Sequence, residues 1–315
     1  MSSNPPTPLV SIGLPVYNGS NYLRVAIDSI LSQTFEDFEL VISDNASEDD
    51  TQQICEEYAA KDSRIRYSRV DENLGAFPNF RRVWDLSSGK YFKWASHDDW
   101  ISPRYLEKCI EVMEADDGIT LAYGQMCRLD GKNNTEVLVH EPVPIVRSES
   151  LTSRFHDSLW KLKFYPIFGL FRSTAFAESM GLTNNPEPDR IVLAEMAMRG
   201  RFAQLPHITL FQRSSKRKST WLWLSTDNRM TPFANSVRSS RALLEAINRF
   251  DGASRGQRLV MCVDLMTWSL WSRLRGKARQ VQRRFKIGWG RGPQLDDAEV
   301  KEVVARLLES EAAAG

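Results

Sequence analysis

The 315-residue chain is 42% hydrophobic, long enough to bury a sizeable core as one domain with an appendage or as two small domains. Its 41 Lys and Arg against 40 Asp and Glu leave a net charge of +1, so no global field draws nucleic acid, and none is expected as a partner. Cys55, Cys109, Cys127 and Cys262 stand far apart with no Cys-x-x-Cys pair, which fits core thiols in a reducing compartment rather than a disulfide framework.

Residues Met1 to Pro8 carry neither a basic start nor an apolar stretch, so no secretory leader is expected and the chain reads as cytoplasmic. Leu9 to Leu14 predicts a strand ending at Pro15, and Tyr22, Leu23, Ala26, Ile27, Ile30 and Leu31 follow at helical spacing. Phe38 to Ile42 is a second strand, followed by a helix with Ile54, Cys55 and Tyr58 on one side. Ile65 to Val70 is a third strand, a helix spans about Pro78 to Leu86, and Tyr91 to Ala95 is a fourth strand. Strands alternating with helices predict a largely parallel, doubly wound α/β sheet.

After Pro103 a helix with Leu106, Ile110 and Met113 precedes two strand-like runs, Thr120 to Cys127 and Glu136 to His140, joined through Asp130-Gly131. A helix near Glu149 to Leu162, an apolar run Ile167 to Phe171 and a helix from about Arg190 to Arg199 complete the middle. From Thr231 onward helical spacing dominates, with Gly288 to Pro293 as a linker before a last helix. The expected division is therefore a domain over 1–230, with halves 8–125 and 126–230, and a helical appendage over 231–315. No apolar run approaches the ~20 residues of a membrane span, since Asp264 breaks the richest, Leu259 to Trp271.

Four polar clusters sit at the ends of apolar runs: Pro15-Val16-Tyr17-Asn18, Ser43 to Ser47, Asn73-Leu74-Gly75 and Ser96 to Trp100. In an open parallel sheet the carboxyl ends of the strands share one edge, so these clusters can converge on one ligand. Asp44 directly follows a strand, where it can accept hydrogen bonds from a base or ribose; equally, Asp44 or Ser47 can begin a turn or cap the next helix. Asn73 beside Gly75 is open to the same two readings.

Asp98 and Asp99 are adjacent carboxylates that repel unless a cation lies between or beside them, and magnesium typically takes one or two carboxylates plus phosphate oxygens. Alternatively, one of them caps the helix after Pro103. His97 is open to three roles: metal ligand, donor to phosphate, or a satisfied loop histidine.

The run from Val10 to Thr51, with Asn73-Leu-Gly75 and the stretch Gly89 to Pro103 after it, strongly resembles the family-two inverting glycosyltransferases of the GT-A fold, in a His-Asp-Asp-Trp sub-branch. The resemblance implies a GT-A, Rossmann-like doubly wound mixed sheet, a nucleotide-sugar donor, a divalent metal (Mg2+ or Mn2+) and a carbohydrate or lipid-linked acceptor. By that resemblance Pro15, Val16, Tyr17, Asn18, Asp44, Asn45, Asn73, Gly75, Asn79, His97 and Asp98 are donor-binding positions. Ser96-His97-Asp98 matches the metal-holding Asp-x-Asp element with its first carboxylate replaced by Ser96, so the resemblance implies that Asp98 holds the metal and that Asp99 supports it or the sugar. Asp189 matches the catalytic base, although an N-cap at that helix start looks the same in sequence. Trp100 and Arg172 fall on the acceptor side.

Relatives carry an Arg-Arg-x-His element whose histidine completes the metal site. Here the sequence runs Phe211 to Lys218, with Lys216 at the histidine position; Lys216 and Arg217 are candidate diphosphate contacts, or part of a solvated lid. The substitutions at Ser96 and Lys216 also admit a second reading, a GT-A module that binds nucleotide or a partner without catalysis. Between Arg273 and Lys286 seven basic residues occur with no acidic one, beside Trp268, Trp271 and Trp289. Such a segment, 268–289, suits peripheral contact with the inner face of a membrane, or is a solvated helix face over core tryptophans.

Overall fold

A computed structural model describes residues 7–130, 136–140, 146–179, 181, 185, 187–213, 232–284, 305 and 309. Strands β1 (Val10–Val16), β2 (Phe38–Asp44), β3 (Ile65–Arg69) and β4 (Tyr91–Trp94) are all parallel, in the order β3-β2-β1-β4. Every residue of β1 and β2 is buried, as expected of inner parallel strands covered on both faces. Helices α1 (Leu23–Leu31), α2 (Thr51–Lys61) and α3 (Ala76–Asp85) connect them.

Beyond β4 the sheet becomes mixed. A two-residue strand β5 (Trp100–Ile101) and helix α4 (Tyr105–Ala115) lead to β6 (Ile119–Asp130), which pairs with β7 (Glu136–His140). After α5 (Leu151–Trp160) and a 3-10 turn (Tyr165–Phe168), β8 (Leu170–Arg172) lies antiparallel between β4 and β6. Helices α6 (Ser173–Ala177) and α7 (Pro188–Arg199) precede β9 (Arg201–Arg213), which runs parallel to β6 and antiparallel to β5. Strand β9 does not stand out in the sequence because Pro206 and His207 interrupt its apolar pattern. The ladder to β6 shifts register there, as proline cannot donate to it.

This topology fixes which edge each segment occupies. Strand β8 opposes β4 and β6, so β4, β6 and β9 all point the same way, and Arg213 ends at the edge where β1, β2 and β4 also end. Helix α7 finishes one residue before β9 begins at the opposite edge. Its first turn therefore lies toward the strands' carboxyl ends.

Helices α8 (Pro232–Arg249) and α9 (Arg255–Arg284) form a C-terminal hairpin. Rather than standing apart, it shares a second core with α5 and α7, in which Phe155, Ile191, Ala194, Leu243, Ile247 and Met261 meet. Glu195 of α7, 1% exposed, accepts from Arg249 of α8 at 3.2 Å. Of the two readings of Trp268, lipid-facing or core, the structure has the second: it is buried beneath the Arg190 guanidinium, 5.0 Å away. Positions 285–289 of that segment, the linker at Gly288 and most of the last helix lie outside the described residues.

Candidate active site

The loops at the carboxyl edge are stitched to one another by side-chain hydrogen bonds. The Asn18 amide donates to Ser47 Oγ at 2.9 Å, Asn18 Oδ1 accepts from the Glu48 amide, and Gly19 N–H donates to Thr51 Oγ1. Asn45 Nδ2 donates to Asn73 Oδ1 and to the Gly75 carbonyl, while its Oδ1 accepts from Leu74 N–H. Of the four non-glycine residues at positive φ among the described residues, Asn18, Ala46 and Glu187 lie at this edge, and Val146 lies beside the start of β9 at the other. Gly75, at φ 85, takes the left-handed conformation at no such cost.

Of the first cluster, Pro15 and Val16 are buried in the sheet, whereas Tyr17 and Asn18 are exposed. Asp44 is 0% exposed and its carboxylate is fully engaged: Oδ1 accepts from Ser47 N–H, and Oδ2 from the Tyr67 hydroxyl at 2.9 Å and the Arg69 guanidinium at 3.1 Å. The turn-forming reading of Asp44 is thus visible, and the exposed partner next to it is Arg69. Asn79 is corrected from donor contact to brace: it is 3% exposed, accepts from Ser43 Oγ and donates to the Ser43 and Val16 carbonyls.

Asp98 and Asp99 part ways. Asp98 is half-buried, with Ser96 Oγ donating to its Oδ1. Asp99 turns inward, is 7% exposed, and accepts the Arg213 amide at 3.0 Å. Burial, reinforced by the charge of Asp98, pushes its carboxyl well above the usual range. Burial likewise lowers the Lys93 ammonium to about 8; its Nζ donates to the Phe168 carbonyl and sits 4.8 Å from the Tyr105 ring. Asp99 and Lys93 share a pocket of about 10 Å³, room for one water and no more. Asp99, expected to support the metal or the sugar, is thus turned into the fold and held by the Arg213 amide, while Asp98 stays half-buried at the surface.

Among the described residues no three His, Cys, Asp or Glu side chains cluster as a metal site. Of the Asp98–Asp99 pair, Asp98 is the half-buried one, and a single carboxylate supplemented by phosphate and water is within magnesium's habit. His97 packs tightly over the first loop: a Cβ on Gly19 would fall 2.7 Å from its Cδ2. The absence of a side chain at Gly19 is what lets the histidine lie there.

Asp189 sits in the first turn of α7, 8% exposed, and desolvation raises its carboxyl to about 6. Its Oδ1 accepts from Arg190 N–H at 3.1 Å. Trp100 stacks on Phe211 at 5.1 Å and carries the Arg213 guanidinium 4.6 Å above its ring. Arg213 was not singled out in the sequence, yet it is wedged between Trp100 and Tyr22, also 4.6 Å away, with a buried Nε that makes no hydrogen bond among the described residues. The signal that could have found it is its position three residues before Lys216, at the first arginine of the Arg-Arg-x-His element.

Arg172 is corrected from the acceptor side to the opposite edge. It pairs with Tyr91 at the start of β4, and its guanidinium donates to the Ile119, Met113 and Asp116 carbonyls and the Tyr91 hydroxyl. Lys216 and Arg217 lie outside the described residues.

The family model for glycosyl transferase family 2 matches residues 11–176, more than half of the chain. An uncharacterized glycosyltransferase of Rickettsia prowazekii is 41% identical over 113 residues, 36% of this chain and 34% of that protein. The matched stretch covers between 21% and 34% of the Rickettsia relatives' lengths. Staphylococcus aureus TarS, residues 1–349 in complex with UDP-GlcNAc, superposes with a TM-score of 0.63 at 16% identity, covering 82% of this chain and 72% of that one. The Pyrobaculum calidifontis mannosyltransferase PcManGT, with GDP-Man and Mn2+, gives 0.54 at 14% identity, covering 97% and 84%. These two structural likenesses bear on the fold.

Proposed function

The chain belongs to glycosyl transferase family 2, and we propose that it transfers a sugar from a nucleoside-diphosphate donor to a hydroxyl acceptor by inverting displacement. The nucleoside diphosphate leaves the anomeric carbon as the acceptor oxygen attacks from the opposite face. The observation that carries this reading is the convergence of the Tyr17-Asn18 loop, the Asn45–Gly75 loops, Asp98, Arg213 and the first turn of α7 at one edge of the sheet.

An alcohol is a weak nucleophile at neutral pH, so a base must take its proton as the new bond forms. Asp189 serves as that base. Support comes from its carboxyl being raised to about 6, since a base titrating close to the working pH is both ionised and strong enough to accept the proton. Magnesium or manganese held at Asp98 would neutralise charge gathering on the leaving diphosphate. The Arg213 guanidinium, pinned by two rings, supplies a fixed positive charge on the same side.

The donor is a nucleotide sugar of the class bound by TarS and PcManGT, a UDP- or GDP-sugar. The acceptor is a carbohydrate or a lipid-linked carbohydrate, as in the building of a surface polysaccharide or glycolipid, at the cytoplasmic side of a membrane. Release of nucleoside diphosphate from a panel of nucleotide sugars, abolished by Asp189→Asn, tests the reading. Tight nucleotide binding with no turnover of any donor would instead favour a binding module that has lost catalysis.

A further inference from the structure

The C-terminal hairpin presents apolar residues on two sides. Helix α9 buries Met261, Leu265 and Trp268 against the rest of the fold. On its other side Leu259, Val263, Met266 and Leu270 recur at spacings of three and four, which aligns them along one helix face. Their exposures are 65%, 48%, 62% and 59%. Met266 and Leu270 also join Val237 and Leu244 of α8 in lining a groove of about 360 Å³. A contiguous exposed apolar stripe of this kind marks a binding surface.

The same helix runs on to Arg284, and its last part holds Arg273, Arg275, Lys277, Arg279, Arg283 and Arg284. No Asp or Glu occurs between Asp264 and Asp296, in a chain whose overall charge is only +1. One element therefore joins an apolar stripe to a strongly basic run.

We propose that α9 docks this chain onto an anionic lipid bilayer, the apolar stripe entering the headgroup boundary and the basic run meeting lipid phosphates. Charge selects the occupant. An anionic leaflet attracts both parts of the helix at once, the stripe by burial of apolar surface and the basic run by charge. No described helix is long and apolar enough to cross a membrane, so α9 lies on the surface. The use of such docking rests on the lipid-linked form of the acceptor, while its test reads binding alone, so either idea can fail without the other.

Co-sedimentation of the full chain with phosphatidylcholine vesicles, with and without phosphatidylglycerol, is the test. The chain is expected to pellet with the anionic vesicles and to be released by salt. Met266→Glu with Leu270→Glu, and separately Arg283→Glu with Arg284→Glu, each weaken pelleting about tenfold or more, with circular dichroism and thermal melting unchanged. No pelleting with either vesicle, or pelleting that neither pair of changes weakens, overturns the proposal. A dimer seen by light scattering that Met266→Glu with Leu270→Glu splits, without vesicle binding, overturns it in favour of a second copy.

Discussion

The Arg213 amide donates to Asp99 Oδ1 at 3.0 Å, tying the end of β9 to the loop after β4. Because burial favours the neutral form of Asp99, an amide oxygen can take its place. Asp99→Asn is expected to melt close to the parent, while Asp99→Ala, which strands the buried amide, costs about 1–3 kcal/mol. The manganese dependence of donor turnover should shift to much higher concentration in Asp98→Asn and barely move in Asp99→Asn. The reverse order would return Asp99 to the metal.

Asp189 carries a pH signature in both rate and stability. As the base it must be ionised, so kcat/KM falls about tenfold per pH unit below about 6 and levels above it. Stability moves the other way. The folded carboxyl titrates at about 6 against an ordinary 3.8, so the native state binds the extra proton between those values and loses stability as pH rises through them. The resulting penalty at neutral pH is about 3 kcal/mol, and Asp189→Asn removes it. A variant that is inactive yet no less stable at pH 7 than the parent is expected; equal pH dependence of its urea midpoint and the parent's would contradict it.

Asp44 is predicted to act as an anchor. Asp44→Ala leaves the Ser47 amide and the Tyr67 hydroxyl without their acceptor, while the exposed Arg69 can turn to water, and is expected to destabilise by about 1–3 kcal/mol in urea titration. A fold of unchanged stability that no longer binds nucleotide would show instead that the carboxylate is a ligand.

Gly19 and His97 form a steric pair. In Gly19→Ala the new Cβ meets Val16 Cγ2 at 2.6 Å and His97 Cδ2 at 2.7 Å, so the histidine ring must move. Donor kcat/KM is expected to fall about 10–100-fold, as misplacement of a site group by an ångström can do. A wild-type value would mean that His97 does not face the donor.

The parallel half of the fold was legible because its strands are apolar throughout and its helices are periodic, and because four polar clusters mark where those strands stop. What sequence could not convey was direction and depth. Asp98 and Asp99 look equivalent as neighbours, but successive residues entering β5 point to opposite sides, and only one faces inward. Arg172 follows an apolar run just as a site residue might, yet its strand is antiparallel and delivers it to the far edge. Strand β9 was hidden by Pro206 and His207. Asn79, for its part, has the composition of a ligand contact and the hydrogen-bond saturation of a brace.

The most direct measurement is nucleoside-diphosphate release by the full chain across UDP- and GDP-sugars with manganese, beside calorimetric binding of the matching diphosphate. At least one donor should be turned over, with Asp189→Asn slowing it by about 100-fold or more while the diphosphate binds as before. Parent and variant turning over that donor at the same rate, or neither cleaving any donor despite firm binding, would contradict transfer driven from the first turn of α7.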